Sequence, residues 1–168
     1  IPAKYWLHNN MITINGKKMG KSYNNVIKLS ELFSGNSPVL EQAYTPMTIR
    51  FFILQTHYRS TLDFSNEALQ AAERGLKRLW EAFSILQKME LANSSPNTGT
   101  DADLNTKALK LLEEVEEFMS DDFNTAKVLA NFFELVPVIN SIRDGHLSIA
   151  ALDSTTLVQM QQTFQIYL

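Results

Sequence analysis

Residues 65–86 read SNEALQAAERGLKRLWEAFSIL, and this stretch decides the fold class. Its apolar residues recur at alternating steps of three and four positions, the spacing of one face of an α-helix. The pattern predicts a helix that starts at Ser65 and runs for nearly 30 residues, with a narrow seam for packing against neighbouring helices. The seam consists of Leu69, Ala72, Leu76, Leu79, Phe83 and Leu86.

The sequence after this helix predicts three more helices separated by polar segments. A stretch rich in serine, threonine and asparagine predicts a linker at about residues 92–102. The next helix carries apolar residues from Leu104 to Phe118 on one face, and the last helix starts near Asp153. Polar connections of this kind favour an antiparallel helical bundle, which we assign to residues 61–168.

The helix predicted between Phe118 and Asp153 has a clear start signal and an internal proline that can break it. Asp121, Asp122 or Asn124 is expected to cap it, because short polar side chains accept hydrogen bonds from the first free amides of a helix. Pro137 lies inside the apolar pattern and predicts a kink or a break there. Adjacent carboxylates at 121 and 122 could also suggest a metal site, but the capping interpretation is favoured.

The part before Ser65 mixes short strands and short helices. Residues 4–14 alternate and contain aromatic and β-branched types, so they predict one or two short strands, followed by a turn at Asn15-Gly16. Ser30 is expected to cap a short helix through Phe33. Thr45 followed by Pro46 predicts the start of a buried helix that runs to about Thr56.

Composition limits the class of protein. The chain has 168 residues, 45% of them hydrophobic, and no cysteine, so it can bury a core but carries no disulfide and no thiolate metal ligand. No apolar run approaches the roughly 20 residues of a membrane span, so we expect a soluble protein. The chain begins Ile1-Pro2 rather than with methionine, which suggests a piece of a longer polypeptide.

Charge is distributed unevenly along the chain. Residues 1–60 contain seven basic and two acidic residues, a net charge of +5, whereas residues 61–168 have a net charge of −8. A basic front half is typical of a surface that faces phosphate groups. Solvation alone explains the acidic second half equally well.

Lys17-Lys18-Met19-Gly20-Lys21-Ser22 is the strongest candidate site. It places three ammonium groups within five residues around a glycine, an arrangement that suits a polyphosphate. The alternative is a basic hairpin turn after a strand, and spacing alone favours that alternative.

Several motifs, in order, resemble one enzyme family. Residues 5–11, then residues 18–22, then Asn25 resemble the region of the second signature loop of class I aminoacyl-tRNA synthetases, a loop that usually reads Lys-Met-Ser-Lys-Ser. Residues 46–52, 57–60 and 121–125 follow in the order and spacing of the cysteinyl-tRNA synthetase branch. The resemblance covers nearly all of the chain.

The resemblance implies a fold and a division of the chain. Residues 1–60 would be the C-terminal end of a Rossmann-type class I catalytic domain, with the signature loop and a connecting segment. Residues 61–168 would be the helical bundle on the anticodon side, which helps to dock tRNA. The expected fold is therefore mainly α, with short strands near the signature loop.

The resemblance also implies an activity. The parent enzyme would use ATP to activate L-cysteine and would transfer it to tRNA(Cys), acting as a cytoplasmic monomer. Lys18 and Lys21 would be catalytic, and the loop of Lys18, Met19, Gly20, Lys21 and Ser22 would bind the ATP phosphates. Gly20 replaces the usual serine, which should make the loop more mobile without changing the chemistry.

Magnesium is expected with ATP. Zinc is expected in the full-length parent, but its ligands, and the histidine-rich first signature, are not in this sequence. The chain has only His8, His57 and His146, so we expect it to be inactive and free of metal on its own. His8 could face an adenosine pocket, although an ordinary strand histidine is the favoured interpretation.

Tyr58 and Arg59 are candidates for contact with nucleic acid. A cation and an aromatic ring at a helix end can meet a phosphate and stack on a base. An interdomain joint, with Tyr58 packed and Arg59 paired to Asp63, is an equally good interpretation. The resemblance leaves both open.

Two other functions remain as alternatives. A related ligase joins cysteine to an amino sugar, and tRNA dependence would separate it from a synthetase. The chain could also be a non-catalytic RNA-binding helical module. In that case, binding would persist when Lys21 is changed to alanine.

Overall fold

The computed structural model describes residues 2–37, 39–91 and 99–168. Its helices account for most of these residues, so the predicted mainly α fold is confirmed. By internal contacts the chain forms two units, Ile1–Leu76 and Lys77–Leu168. The domain boundary after residue 60 stays a prediction, and most of the predicted linker, residues 92–98, lies outside the described residues.

A small sheet organises the first unit. Its strands are β1 (Ile12–Ile14), β2 (Lys17–Lys18) and β3 (Leu62–Phe64), in the order β2-β1-β3. β1 pairs antiparallel with β2 through the predicted turn, where Asn15 and Gly16 have positive φ angles of 50° and 73°. Such a turn matches the natural twist of the two strands. β3, which the sequence did not predict, pairs parallel with β1.

Residues 4–11 are not strand, contrary to expectation. The Asn10 amide donates to the Tyr58 carbonyl at 3.0 Å, and the Met11 carbonyl accepts from the amide of Leu62, the first residue of β3, at 3.1 Å. The segment exposes Tyr5, Trp6 and Leu7 to solvent. The alternating pattern is therefore present, but among the described residues only Asn10 and Met11 of this stretch make backbone hydrogen bonds to other segments.

Two short helices cover the sheet. α1 (Leu29–Ser34) begins earlier than predicted, because the Glu31 carboxylate accepts from the Lys28 amide at 3.0 Å, so Lys28 and not Ser30 is the N-cap residue. α2 (Pro46–Leu54) begins as predicted, with the Thr45 hydroxyl accepting from the Thr48 amide at 3.1 Å.

α3 (Asn66–Leu86) carries the predicted seam but has 21 residues, fewer than expected. Leu69, Ala72, Leu79 and Leu86 are completely buried. At the end of the helix the side chain of Gln161 donates to the carbonyls of Leu86 and Met89, at 2.9 and 3.0 Å. A side chain thus satisfies carbonyls that have no partner within the helix.

The second unit contains the remaining helices that the structure describes. α4 (Ala102–Ser120) packs on α5 (Thr125–Arg143) and on α6 (Ser154–Tyr167). Asn124 is the N-cap of α5, whereas Asp121 is the C-cap residue of α4, and α5 continues through Pro137 without a break. Asp153 caps α6 near the expected position. Phe132 and Phe164, both fully buried, pack with ring centroids 4.5 Å apart.

Within the described ranges, every helix is too short or too polar to traverse a lipid bilayer.

Candidate phosphate-binding loop

The lysine loop begins at the end of the β1–β2 hairpin. Lys18 is the last residue of β2 and pairs with Thr13 of β1. The next amide, of Met19, donates to the Ile12 carbonyl at 3.4 Å. Lys21–Tyr23 then form one turn of 3-10 helix. The hairpin thus determines where the loop leaves the sheet.

The lysines of this loop and its methionine differ in exposure. Lys18 and Lys21 are exposed, whereas Met19 is half-buried. Met19 lines an apolar cavity of about 210 Å³. The other residues lining it come from the sheet and the covering helices and include Ile14, Phe64, Leu32, Ile49 and Ile53. Met19 therefore anchors the loop to the core while both ammonium groups stay in water.

Hydrogen bonds close the loop on itself. The Tyr23 amide donates to the Gly20 carbonyl at 3.0 Å, and the Asn24 amide donates to the Lys21 carbonyl at 3.1 Å. Asn24 has a φ of 50°, in the left-handed region, and so reverses the chain direction. The side chain of Asn25 bonds to the backbone at both Lys18 and Gly20.

One carboxylate holds the hairpin in place. Asp63, in β3, accepts from the Thr13 hydroxyl at 2.5 Å and from the Gly16 amide at 2.8 Å. These bonds fix the turn that precedes the lysine loop. The role of Asp63 was missed by the sequence analysis, in which it figured only as a possible partner of Arg59. In the sequence, Asp63 is only an acidic residue between two apolar ones, and that pattern is too common to indicate a role in fixing the hairpin.

Tyr58 and Arg59 lie next to each other at the edge of the sheet. The Arg59 Nε donates to the Tyr58 hydroxyl at 3.0 Å, and its guanidinium carbon lies 5.6 Å from the centre of the Tyr58 ring. The His57 ring stacks on the Tyr58 ring, with ring centroids 4.9 Å apart. Arg59 is exposed and Tyr58 is half-buried. The pair presents a cation beside an aromatic ring.

The described residues do not fit a zinc site. They contain no group of three or more histidine, cysteine, aspartate or glutamate side chains close enough to hold a metal ion. His8, which is exposed, stacks against Trp6 with ring centroids 6.4 Å apart. No chemical step is therefore assigned to zinc in this chain.

Two protein families match this chain, one in each half of the sequence. Residues 1–74 match the family of class I (C) tRNA synthetase catalytic domains, and residues 114–167 match the DALR domain family. The first match contains the whole lysine loop, the sheet and the Tyr58-Arg59 pair. The second contains α5 and α6 with the end of α4.

Individual relatives match almost the entire chain. A cysteine-tRNA ligase of Parabacteroides distasonis is 50% identical over 98% of this chain, and one of Bacteroides thetaiotaomicron is 52% identical over 97%. A more distant cysteine-tRNA ligase, of Chlorobium chlorochromatii, is 42% identical over 85%. The chain spans 31% of the length of the first two relatives. By these matches the chain belongs to the cysteinyl branch of the class I tRNA synthetases.

Proposed function

We propose that the chain is part of a cysteine-tRNA ligase, in which it supplies the phosphate-binding loop and a helical tRNA-docking domain. The observation that carries the proposal is the lysine loop, which holds two exposed ammonium groups on a turn fixed by the hairpin and anchored by Met19. The whole protein would activate L-cysteine with ATP and transfer it to tRNA(Cys). The names of the relatives support the substrate and the tRNA.

The loop suits the activation step for an electrostatic reason. When a carboxylate attacks the α-phosphorus of ATP, negative charge grows on the departing pyrophosphate. Ammonium groups already held near that charge stabilise the transition state without further reorganisation. We assign this role to Lys18 and Lys21, with Met19, Gly20 and Ser22 shaping the loop around the phosphates. Magnesium bound to ATP would share the charge.

Removing one ammonium group tests this assignment. In the full-length protein, Lys21→Ala should lower cysteine-dependent ATP–pyrophosphate exchange by roughly 10²–10³-fold, the typical cost of losing one preorganised donor. Lys28→Ala is the matched control, because Lys28 is also exposed and its ammonium lies 3.9 Å from Glu31, outside the loop. Exchange should be measured with cysteine, methionine or valine.

Two outcomes would contradict the proposal. Exchange driven by methionine or valine in place of cysteine would refute the substrate. Exchange that is indifferent to Lys21, or equally sensitive to Lys28, would refute the role of the loop. Transfer of the activated cysteine to tRNA, measured in the same preparation, separates a synthetase from a ligase that uses an amino sugar.

We further propose that Tyr58 and Arg59 contact the tRNA. Arg59 is exposed, and the Tyr58 hydroxyl accepts its Nε hydrogen, which holds the guanidinium near the ring. Arg59→Ala should raise the KM for tRNA about tenfold, because one charged contact to phosphate is lost, and should leave ATP–pyrophosphate exchange unchanged. A KM for tRNA equal to that of the parent would place the pair in the joint between domains.

The assignment of residues 1–60 to the catalytic domain and 61–168 to the bundle is part of the proposal. The match of residues 1–74 to the catalytic family and of 114–167 to the DALR family supports this order of domains. The monomeric state and the cytoplasmic location stay predictions from the resemblance.

A further inference from the structure

One amide side chain next to the lysine loop bonds to the loop twice. The Asn25 Oδ1 accepts from the Gly20 amide at 2.9 Å, and the Asn25 Nδ2 donates to the Lys18 carbonyl at 3.1 Å. We call these two bonds the Asn25 bridge. Asn25 is half-buried, so water competes less for its amide than it would at an open surface.

The bridge spans the segment that carries both candidate catalytic lysines. It binds the backbone at Lys18 and at the residue before Lys21, and the intervening Met19 is anchored in the apolar cavity. The backbone bonds of Tyr23 and Asn24 close the other half of the same loop. Because all these bonds go to the main chain, the ammonium groups keep their full donor capacity for a ligand.

We propose that Asn25 is a positioning residue for the phosphate-binding loop. It fixes the backbone at Lys18 and Lys21 relative to each other, in an arrangement that serves the growing charge on the pyrophosphate. The inference rests on the proposed function, and it adds a residue that does not itself touch the nucleotide. Preorganisation of this kind acts on the transition state, so its loss lowers kcat more than it weakens binding of ATP.

Two variants of the full-length protein separate the two bonds. Asn25→Ala removes both, and we expect kcat for ATP–pyrophosphate exchange to fall roughly ten- to hundredfold while the KM for ATP changes less than about threefold. Asn25→Asp keeps an acceptor for the Gly20 amide but loses the donor to the Lys18 carbonyl. Its kcat should lie between those of the parent and Asn25→Ala.

Hydrogen exchange measures the same bridge without catalysis. In Asn25→Ala, peptides that cover residues 18–25 should take up deuterium faster, because the Gly20 amide has lost its acceptor, while other peptides exchange as in the parent. Asn36→Ala is the matched control: Asn36 is exposed, belongs to the same unit and lies outside the loop. It should leave both kcat and deuterium uptake unchanged.

Three results would overturn the inference. Unchanged kcat and unchanged uptake in Asn25→Ala would show that the bridge does nothing. A rise in the KM for ATP with unchanged kcat would make Asn25 a binding contact. Faster uptake throughout the protein would make it a general stabilising residue. Lys21→Ala, assayed in parallel, distinguishes failure of the proposed function: if exchange persists in that variant, the catalytic role of the loop fails, and uptake alone still decides whether the bridge orders the loop.

Discussion

Two glycines in the first unit differ in whether their backbone conformation and surroundings require glycine. Gly20 has an extended backbone, with φ of −171° and ψ of 149°, which any residue can adopt. A Cβ there would meet the Tyr23 ring at 3.3 Å, and that ring is 66% exposed and able to move. Gly35 ends α1 with a φ of +73°, and a Cβ there would lie 2.8 Å from the backbone nitrogen of Ala43. Of these two positions, only that of Gly35 requires glycine, because its φ is positive and a Cβ would meet backbone.

Restoring the serine that the family usually has at the Gly20 position should therefore be tolerated. Gly20→Ser should change the free energy of unfolding by less than about 0.5 kcal/mol. Gly35→Ser, the matched control, should cost about 1–3 kcal/mol, because the residue is strained and meets backbone rather than a flexible side chain. Urea denaturation of the three proteins measures both. Equal losses would show that Gly20 is needed for packing. The greater mobility expected of the loop stays a prediction.

At the residue scale, the sequence could predict the lysines but not what holds them. Lys18 and Lys21 stand out because three ammonium groups in five residues are unusual, and because the motif resembles a known signature. The resemblance also includes Asn25, but no pattern says that its side chain bonds to Lys18 and Gly20, because those bonds depend on the turn at Asn24. Asp63 acts from 50 residues away in sequence, beyond the reach of local patterns.

At the level of elements, one buried amide joins the start of α4 to the start of α6. The Asn105 Nδ2 donates to the carbonyls of Asp101 and Ala151, at 2.7 and 2.8 Å, and its Oδ1 accepts from the Asp153 amide at 2.9 Å. Asn105 is only 5% exposed. A buried amide with all these bonds made is costly to remove, since its partners are left without replacements.

Asn105→Ala should consequently destabilise the chain by roughly 2–4 kcal/mol, because it leaves buried polar groups unpaired. Thr106→Ala provides the control in the same helix. Thr106 is exposed and its hydroxyl donates only to the Ala102 carbonyl one turn back, so its loss should change stability by less than about 0.5 kcal/mol. The midpoint of urea unfolding, followed by helical circular dichroism, gives both values. Similar midpoints for the two variants would contradict the role of Asn105.

Elements with a strong local signal were predicted correctly. The Asn15-Gly16 turn, the Thr45-Pro46 helix start and the helix start near Asp153 each depend on residues within one turn of chain. β3 was missed because three residues give too short a pattern and because its partner, β1, is distant in sequence. The start of α1 was misplaced for a similar reason, since Glu31 competes with Ser30 and provides the acceptor for the Lys28 amide.

At the scale of the whole molecule, the proposed activity needs features that the resemblance implies but that this sequence does not contain. The sequence has no cysteine, and its histidines at 8, 57 and 146 do not form the histidine-rich signature that the resemblance implies for ATP. In the proposed function the lysine loop stabilises charge, but charge stabilisation alone would not place cysteine beside ATP. Proximity of the two reactants supplies a large part of the rate acceleration of such enzymes.

The purified chain alone should therefore show no cysteine-dependent ATP–pyrophosphate exchange above background, whereas the full-length protein should show it under the same conditions. Circular dichroism of the same sample should report mainly helical structure, so that inactivity is not confused with unfolding. Robust exchange by the chain alone would mean that the remaining site residues lie within these 168 residues.

The position of β1 between β2 and β3 has a consequence during synthesis on the ribosome. The hairpin of β1 and β2 is complete once residue 18 has emerged, but an isolated two-stranded hairpin of this length has little stability in water. Its parallel partner and the Asp63 carboxylate emerge more than 40 residues later. The nascent chain therefore exposes its lysines for several seconds before the loop is held in place, at typical rates of translation of about 5–20 residues per second. During that interval the lysine loop of the growing polypeptide has neither β3 nor the Asp63 carboxylate to order it.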